Sequence, residues 1–358
     1  MSNIFRDRIK RLRNLLSLSK KDVYFTYKTE DVIYLTGFSS SNAFLFISGS
    51  YVKVFTDKRY TQQIKTYSGE IEFQIFNDHW IDEIKKFLKS KKVKRLFIEA
   101  SKISYDRYLL FQKSFNTELK LLPNSLEFFF AFQDEYGINQ TKKALKFTEK
   151  IFSKILEYVK EGITELDLYA ELKYQINLID AKSEAFDPIV LFGKNTAYPH
   201  GKTGKTKLKP HSPIILDFGV KFNGYNSDFT RTIYFGKPSQ EFRKYYEIVN
   251  NALSFVKSKI NVGLKGHELY ECVIKYFAGF KLDNFFTHAL GHGLGVYIHN
   301  YPRIARNSKD IILPNLIIAI EPALYFENVF GIRIENNFLV NDNKVDVLNT
   351  VTTNLITI

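Results

Sequence analysis

A tight hairpin in the C-terminal half constrains the fold of this 358-residue chain more than any other feature. Residues 213–220 and 225–235 are two runs rich in β-branched and apolar side chains. Asn223 and Gly224 stand between them, and both residue types tolerate the positive φ angles of a two-residue hairpin loop. The sequence therefore predicts two antiparallel strands joined by this loop.

The hairpin register places two acidic side chains on one face of the strand pair. If the loop has two residues, Phe222 faces Tyr225, and counting outward puts Asp228 opposite Gly219. Asp217 is then a diagonal neighbour of Asp228, with the two backbones roughly 7–8 Å apart. Two carboxylates on an apolar face are costly unless they are paired or bind a metal. The hairpin alone leaves an alternative open, in which one of the two acids is a turn residue and the other forms a salt bridge.

A segment rich in histidine and glycine favours a metal site over the salt-bridged alternative. Residues 287–299 contain His288, His292 and His299, of only seven histidines in the chain. The glycines of the segment are Gly291, Gly293 and Gly295. A helix is disfavoured here, because each interior glycine costs roughly 1 kcal/mol relative to alanine. Glycines crowded around one histidine indicate instead a backbone that passes close to another group.

Two further acids close apolar strands. Residues 316–320 form a β-branched run that ends at Glu321, and residues 330–335 form another that ends at Glu335. Arg333 lies on the same face as Glu335 by the period-two alternation of a strand. Either glutamate could be a solvated strand end, and Arg333 could simply neutralise Glu335.

Together these residues form a candidate ligand set for metal ions. The set contains Asp217, Asp228, His292, Glu321 and Glu335. Four carboxylates and one imidazole make an oxygen-rich, fairly hard site, which suits Mn, Co, Fe or Zn. Five ligands with several bridging oxygens can hold two ions about 3.5–4 Å apart. The pattern predicts a hydrolase.

The order and spacing of these motifs resemble the pita-bread metallopeptidases, which are related to methionine aminopeptidase. Within that family the chain is most similar to the Xaa-Pro aminopeptidases and Xaa-Pro dipeptidases (prolidases). The resemblance covers essentially the whole chain. It is carried by the two aspartates eleven positions apart, and by residues 162–171, 186–200, 227–232, 291–295, 321–322 and 331–335.

The resemblance implies an α/β (α+β) protein of two domains. Residues 1–125 would form a creatinase/prolidase-like N-terminal α/β domain, and residues 126–358 the pita-bread catalytic domain. The pattern of the first domain predicts helices at 6–16, 80–90 and 105–115 and strands at 23–27, 31–38, 43–47, 51–55 and 95–98, with a turn at Pro123 and Asn124. A long helix over residues 140–160 would open the second domain.

The resemblance also implies how two divalent ions would be held, with manganese as the first candidate and cobalt, zinc or iron as alternatives. Asp228 and Glu335 would bridge both ions. Asp217 would bind one ion, and His292 with Glu321 the other. A water molecule shared by the two ions would be the nucleophile.

Further roles follow from the same resemblance. Glu321 would take the proton of the water, while His288 and His299 would lie near the scissile carbonyl. His200 would contact the proline side of the substrate, and Arg333 would orient the last glutamate as well as contribute to substrate binding. The hydroxyl of Thr230 would support the ligands. Two positions depart from the family pattern, since Asn300 and Asn336 stand where acids are usual.

Composition and charge exclude several other classes. No apolar run reaches the ~20 residues of a membrane span, and the first thirty residues lack the apolar stretch of a signal peptide. The net charge is +13, but the lysines are scattered in the manner of solvated helix faces, so neither nucleic acid nor a membrane is expected as a partner. The single cysteine, Cys272, excludes an intrachain disulfide, suits a cytoplasmic protein, and is predicted to be a buried thiol on a helix.

The N-terminal domain separates the candidate activities. By the resemblance, proline-directed peptidases and creatinase carry it, whereas methionine aminopeptidases lack it. A creatinase-like amidinohydrolase or a non-catalytic binding module is disfavoured because all five ligands are present. The expected substrates are short peptides with proline in second position. The choice between aminopeptidase and dipeptidase stays open, and the resemblance implies a homodimer.

Overall fold

The computed structural model describes residues 3–67, 71–123, 126–179 and 183–358. The chain divides into two compact units, Met1–Phe130 and Ala131–Ile358, each with hydrophobic core of its own. The turn predicted at Pro123 and Asn124 and the domain boundary predicted after residue 125 involve residues 124 and 125, which lie outside the described ranges. Among the described residues, none of the helices combines the length and hydrophobicity that a membrane crossing needs.

The first unit is a mixed sheet with helices. Its strands are β1 Asp22–Thr26, β2 Ala43–Ser48, β3 Val52–Thr56, β4 Ile71–Ile75, β5 Arg95–Glu99 and β6 Glu118–Leu122, in the order β4-β3-β2-β1-β5-β6. Its helices are α1 Asn3–Leu15, α2 Thr29–Thr36, α3 Thr61–Ile64, α4 Trp80–Ser90 and α5 Tyr105–Ser114. Helix α6, Glu127–Ala131, begins in this unit and ends at the first residue of the second. Strands β1, β2 and β3 pair antiparallel, and β4, β5 and β6 join parallel to their neighbours. Phenylalanines dominate the core beside the sheet.

One predicted strand of this unit is wrong. The sequence predicts an extended segment over residues 31–38, but most of these residues belong to helix α2. Residues 31–36 are all buried, so the run shows no alternation between apolar and polar faces. Without such alternation a short apolar run does not distinguish a buried strand from a buried helix. The helix ends at Gly37, whose φ of 72° is a left-handed C-cap conformation that glycine adopts without strain.

The second unit contains four long helices and several small sheets within the described residues. Its helices are α7 Glu135–Leu156, α8 Glu165–Leu178, α9 Gln240–Lys257 and α10 Gly266–Ala278. Its strands are β7 Ser183–Glu184, β8 Ile189–Phe192, β9 Ser212–Asp217, β10 Val220–Phe222, β11 Tyr225–Asn226, β12 Thr230–Phe235, β13 Gly291–Leu294, β14 Asn300–Ile304, β15 Leu316–Ile320, β16 Ala323–Phe326, β17 Phe330–Arg333, β18 Asn336–Val340 and β19 Val345–Val347. The sheets run β12-β9-β8, β11-β10-β7, β14-β13-β15-β18-β19 and β16-β17. Helix α10 carries Cys272, which is half-buried rather than buried as expected.

Side-chain caps fix where the helices of this unit begin. The long helix predicted from residue 140 starts earlier, because the Asp134 carboxylate accepts a hydrogen bond from the backbone N–H of Gly137. At α8 the Thr164 hydroxyl accepts from the backbone N–H of Asp167, while the Asp167 carboxylate accepts from the Thr164 backbone N–H. This reciprocal capping box satisfies two otherwise unpaired donors at the helix start.

The predicted hairpin is present with the predicted register. Phe222 pairs with Tyr225 across the tight turn, and Asp217 pairs with Thr230 further out. The β10–β11 pair and the β9–β12 pair follow the same register. That register leaves the glycine at 219 opposite Asp228, as the sequence predicts.

Each long strand of the hairpin is, however, broken in the middle. Strands β9 and β12 join one small sheet, while β10 and β11 join another. The break lies at Gly219, where an added Cβ would be 2.0 Å from the carbonyl oxygen of Ser227. The two chain segments can approach this closely only because residue 219 has no side chain. Asp228 lies in the connection between β11 and β12, next to this close approach.

Candidate metal centre

Three carboxylates of the predicted ligand set lie together in the second unit. Asp217 ends β9, Asp228 lies between β11 and β12, and Glu335 lies between β17 and β18. One carboxylate oxygen from each lies within 4.8 Å of the others. Asp228 and Glu335 are buried, and the Asp217 side chain keeps 13% of its accessible surface. The hairpin and the strand that follows β16 therefore bring these acids into one place.

The other two predicted ligands border this cluster. His292 lies on β13, and its Nε2 is 3.4 Å from Oδ2 of Asp228. Glu321 directly follows β15, and its backbone N–H donates to the carbonyl of Leu290. Burial raises the pKa of Glu321 to about 7, which the charges of His292 and then Arg333 partly oppose.

The electrostatics of the cluster favour a bound cation. Burial, and next the Asp217 charge, raise the pKa of Asp228 well above its usual range. Burial, and next the charge of Asp228, do the same for Glu335. Within the described part of the chain, Glu335 Oε1 has no hydrogen-bond partner although it is buried. Buried carboxylates that repel one another and retain an open oxygen fit divalent metal ions.

The glycines around His292 confirm the predicted close approach. An added Cβ on Gly291 would lie 2.0 Å from the carbonyl oxygen of Ala319 on β15. An added Cβ on Gly293 would lie 1.9 Å from the carbonyl oxygen of Tyr301 on β14. Strand β13 is thus pressed between its two neighbours, which fixes the imidazole beside the carboxylates. The segment is a strand with bends and contains no helix, as predicted.

Arg333 does not pair with Glu335, so that expectation is wrong. Its Nη2 donates to Asp217 Oδ2 at 2.6 Å, and its Nη1 donates to the hydroxyl of Tyr325 at 2.7 Å and to the carbonyl of Pro199 at 3.1 Å. Strand β17 ends at Arg333, so the period-two alternation that placed the two side chains on one face does not continue to Glu335.

The carboxylate of Glu335 is instead held by Thr230. The Thr230 hydroxyl donates to Glu335 Oε2 at 2.9 Å, which is the supporting contact predicted for this residue. The backbone N–H of Glu335 also donates to the carbonyl of Thr230, at 3.2 Å. A neutral hydroxyl therefore orients this acid, and its second oxygen is left for a ligand.

Tyr325 is a site residue that no sequence motif singles out. Its hydroxyl accepts from Arg333 and lies 3.0 Å from His288 Nε2, so its own proton points to that nitrogen. His288 Nδ1 lies 2.7 Å from the carbonyl of Ala289 and therefore carries the ring proton. Burial first, and then the Arg333 charge, lower the pKa of His288 to about 3. His288 is a neutral imidazole with both nitrogens engaged.

The other two predicted histidines border the same region. The ring centroids of His299 and His292 are 4.5 Å apart, edge to face. Burial, followed by the charge of His292, lowers the pKa of His299. His200 is exposed, and its charge acts on both His288 and His299. Since the carbonyl of neighbouring Pro199 accepts from the Arg333 side chain, the His200 loop is tied directly to the carboxylate cluster.

A buried acid at the start of α8 holds this loop. Glu165 is fully buried; its Oε1 accepts from the backbone N–H of Phe192 at 2.8 Å and from Asn195 Nδ2 at 2.9 Å. Its Oε2 accepts from the backbone N–H of Gly204 at 2.8 Å. The motif over residues 162–171 predicts the helix, but no role is predicted for Glu165 within it.

Comparison with known proteins decides the family. Residues 139–342 match Metallopeptidase family M24, and residues 8–127 match the Creatinase/Prolidase N-terminal domain. The chain belongs to metallopeptidase family M24. The predicted family and the predicted order of the two domains are confirmed. The family implies divalent metal ions, for which the carboxylate cluster is the candidate site.

Relatives from this metallopeptidase family match nearly the whole chain. A putative Xaa-Pro aminopeptidase of Mycoplasma pneumoniae is 30% identical over 347 residues, covering 96% of this chain and 97% of its own length. The solved structure of an Xaa-Pro dipeptidase from Bacillus anthracis has a TM-score of 0.93 at 27% identity, covering 99% of this chain and all of the other. An X-Pro aminopeptidase from Thermotoga maritima has a TM-score of 0.90 at 27% identity, with coverage of 98% and 100%. The predicted resemblance to Xaa-Pro peptidases is confirmed.

The two departures from the metallopeptidase pattern have different surroundings. Asn300 Oδ1 accepts from the backbone N–H of Tyr301, and its Nδ2 has no hydrogen-bond partner among the described residues. Asn336 Oδ1 accepts from the buried guanidinium of Arg231 at 3.0 Å. Neither asparagine belongs to the carboxylate cluster, so the replacements leave the ligand set intact.

Proposed function

We propose that this protein is a metal-dependent exopeptidase that hydrolyses the bond between an N-terminal residue and proline, as an Xaa-Pro aminopeptidase or an Xaa-Pro dipeptidase. The observation that carries the proposal is the convergence of the Asp217, Asp228 and Glu335 carboxylates within 4.8 Å. The relatives named for Xaa-Pro substrates, whose matches extend over both domains of this chain, supply the substrate class. Short peptides with proline in second position are the proposed substrates.

The five proposed ligands would hold two divalent ions, for which manganese is the first candidate. Asp228 and Glu335 would contribute to both ions, Asp217 would hold one, and His292 with Glu321 would hold the other. The ions supply Lewis-acid activation of water and of the scissile carbonyl. Elemental analysis of the protein purified without added metal tests the identity of the ion. Gel filtration with light scattering tests the proposed homodimer.

Glu321 transfers the proton, and His299 stabilises the charge that develops on the carbonyl oxygen. The Glu321 carboxylate takes a proton from the attacking water and delivers it to the proline nitrogen, which leaves as an amine. His299 donates a hydrogen bond to the oxygen of the scissile carbonyl, and a donor placed there contributes on the order of 3 kcal/mol. His288 serves differently, because both of its nitrogens are already engaged. It holds the hydroxyl of Tyr325 in place.

Arg333 and His200 bind the substrate on the proline side. The Nε–H of Arg333 is buried and has no partner among the described residues, so it remains free for a ligand oxygen. His200 is exposed on a loop whose backbone is fastened by Arg333 and Glu165. The position of this loop next to the cluster supports a role in substrate binding.

Specificity for proline has a physical basis. A peptide bond to proline has no N–H, and the proline ring fixes φ. Alanine in place of proline forfeits about 0.8 kcal/mol per missing buried methylene and brings an N–H whose desolvation costs roughly 1–3 kcal/mol. The combined loss corresponds to a preference of about a hundredfold or more, since ~1.4 kcal/mol is tenfold.

A panel of peptides tests the function. Purified protein with manganese or cobalt is offered Ala-Pro, Ala-Pro-Ala, Ala-Ala-Ala and Met-Ala-Ala. Cleavage of the dipeptide alone identifies a dipeptidase, and cleavage of Ala-Pro-Ala identifies an aminopeptidase. Equal rates for Ala-Pro-Ala and Ala-Ala-Ala would refute proline specificity. If the protein binds metal but cleaves none of the four peptides, the result would indicate a binding role.

Single substitutions test the site. Glu335→Gln removes a bridging charge with little change of shape, and we expect it to abolish activity. His292→Ala should lower metal content, whereas His299→Ala should lower turnover with metal content near wild type. Glu161→Gln, at an exposed position, is the matched control and should behave as wild type. Equal metal loss in both histidine variants would overturn their division of roles.

A further inference from the structure

Arg231 is buried beside the candidate metal centre. Its side chain is 1% exposed and is among the largest fully buried side chains of the described residues. The guanidinium donates to five oxygens, which are the carbonyls of Thr230, Glu335, Val351 and Thr352 and Oδ1 of Asn336. None of these five acceptors is a carboxylate. A planar fork of donors is therefore used here to fix backbone positions.

Two of these bonds hold the backbone on which the Glu335 carboxylate is mounted. Nη1 of Arg231 donates to the carbonyl of Glu335 and, at 2.9 Å, to the carbonyl of Thr230. Thr230 is also the residue whose hydroxyl orients Glu335 Oε2 at 2.9 Å. A shift of the guanidinium would therefore displace both the candidate ligand and the group that orients it.

Two other bonds hold a short stretch near the C-terminus. Nε of Arg231 donates to the carbonyl of Thr352 at 3.0 Å, and Nη2 donates to that of Val351 at 2.9 Å. We call residues 350–353 the C-terminal segment. Its N–H groups at Thr350 and Val351 donate to the carboxylate of Glu149 on α7, at 2.7 and 3.2 Å. The Thr350 hydroxyl donates to the same carboxylate at 2.5 Å.

The C-terminal segment is thus held between two buried charged side chains. Glu149 binds its N–H groups, Arg231 binds its carbonyls, and the hydroxyl of Tyr246 donates to the carbonyl of Thr353 at 3.0 Å. The segment has no role in the proposed chemistry and supplies no ligand. Its bonds to Arg231 nevertheless fix the orientation of a guanidinium that also fixes Glu335.

We propose that Arg231 is a positioning residue that makes the C-terminal segment part of the metal-binding machinery. The segment orients Arg231, and Arg231 in turn orients the backbone of Glu335 so that its carboxylate faces Asp228. The inference rests on the proposed function for the identity of the ligands. It adds that manganese affinity depends on Glu149 and Thr350, which touch none of the ligands.

The test measures manganese affinity in variants of the segment. Glu149→Gln weakens the hold on the segment and leaves every proposed ligand unchanged. Titration of the metal-free full chain, with free Mn²⁺ followed by electron paramagnetic resonance, should show about tenfold weaker binding. Arg231→Lys keeps the charge but loses the planar fork, and a larger loss is expected. At saturating manganese, kcat should fall while KM stays within about twofold, because the segment does not form the proposed substrate pocket.

A matched variant separates positioning from general destabilisation. Asp22→Asn also removes a buried carboxylate from a hydrogen-bonded cluster, but this cluster lies in the first unit, where the partners of Asp22 are Arg95 and Ser19. It should lower the melting temperature of the metal-free protein and leave manganese affinity near wild type. If Glu149→Gln lowers the melting temperature to the same extent and also leaves manganese affinity unchanged, the inference is wrong.

A milder substitution covers the case in which Glu149→Gln does not fold. Thr350→Val keeps the shape and removes only the hydroxyl that donates to Glu149. We expect a measurable loss of manganese affinity, and wild-type affinity would overturn the inference. Failure of the proposed function looks different. The wild-type protein would then bind no manganese, or would bind it without cleaving proline peptides, and in the latter case the effect on affinity would still be tested.

Discussion

Asp228→Asn should have opposite effects on stability with and without metal. The carboxylate oxygens of Asp217, Asp228 and Glu335 lie within 4.8 Å of one another. At that separation, and with an effective dielectric constant of ~20, each pair of ionised groups repels by about 3.5 kcal/mol. Asp228 takes part in two such pairs. Proton uptake and the Arg333 charge relieve part of the repulsion, so we expect the neutral variant to stabilise the metal-free protein by about 2 kcal/mol.

Thermal unfolding in chelator and in manganese measures this effect. For a domain of roughly 150–250 residues, about 1 kcal/mol shifts the melting temperature by ~2–4 °C. The metal-free variant should therefore melt about 4–8 °C above metal-free wild type. Manganese at about a hundred times its dissociation constant should add ~2.7 kcal/mol to wild type. The variant lacks a bridging ligand and should gain little, so the order of the two melting temperatures reverses.

Two results would refute this reasoning. A metal-free variant that melts below metal-free wild type would show that the carboxylates do not repel one another in the folded protein. A variant that gains as much from manganese as wild type would show that Asp228 is not a ligand. Glu161→Gln, which changes an exposed acid by the same chemical step, should leave both melting temperatures unchanged.

Three further predictions follow from the same geometry. Burial raises the pKa of Glu321 from 4.5 to about 7 in the metal-free protein. The stabilising contribution of its protonated form is therefore present below pH ~4.5 and is lost as the pH rises towards 7. In Glu321→Gln, the melting temperature should depend less on pH over this range. Tyr325→Phe leaves two buried hydrogen-bond partners unsatisfied, and we expect a loss of about 1–3 kcal/mol in the free energy of unfolding by urea together with a lower kcat. Gly291→Ala places a Cβ 2.0 Å from the carbonyl of Ala319 and should prevent soluble expression, whereas Gly279→Ala, with its nearest contact at 3.3 Å, should express as wild type.

Local patterns were enough to predict the hairpin and the glycine-rich strand. The Asn223 and Gly224 turn fixes the register of its own two strands, so the pairing of Phe222 with Tyr225 could be counted from the sequence. The close approach at Gly291 was also predictable from a local pattern, because glycines on both sides of His292 indicate a crowded backbone. The family motifs then connected these local features into one site.

Contacts between distant strands could not be predicted in this way. Arg333 was expected to neutralise Glu335, because alternation along one strand says nothing about where that strand ends or which chain lies opposite. Tyr325 and Glu165 are unremarkable in sequence, and their roles arise only when other segments supply the partners. The helix α2 was missed for a related reason, because burial on all sides removes the periodic pattern that distinguishes helix from strand.

The five proposed ligands come from different sheets and connections between residues 217 and 335. No short stretch of the unfolded chain gathers them, so a nascent polypeptide offers no ready-made cation site. Newly synthesised protein should fold first and acquire its ions afterwards. A cell short of metal would therefore accumulate folded, inactive enzyme. Renewed metal supply would restore peptidase activity without fresh translation.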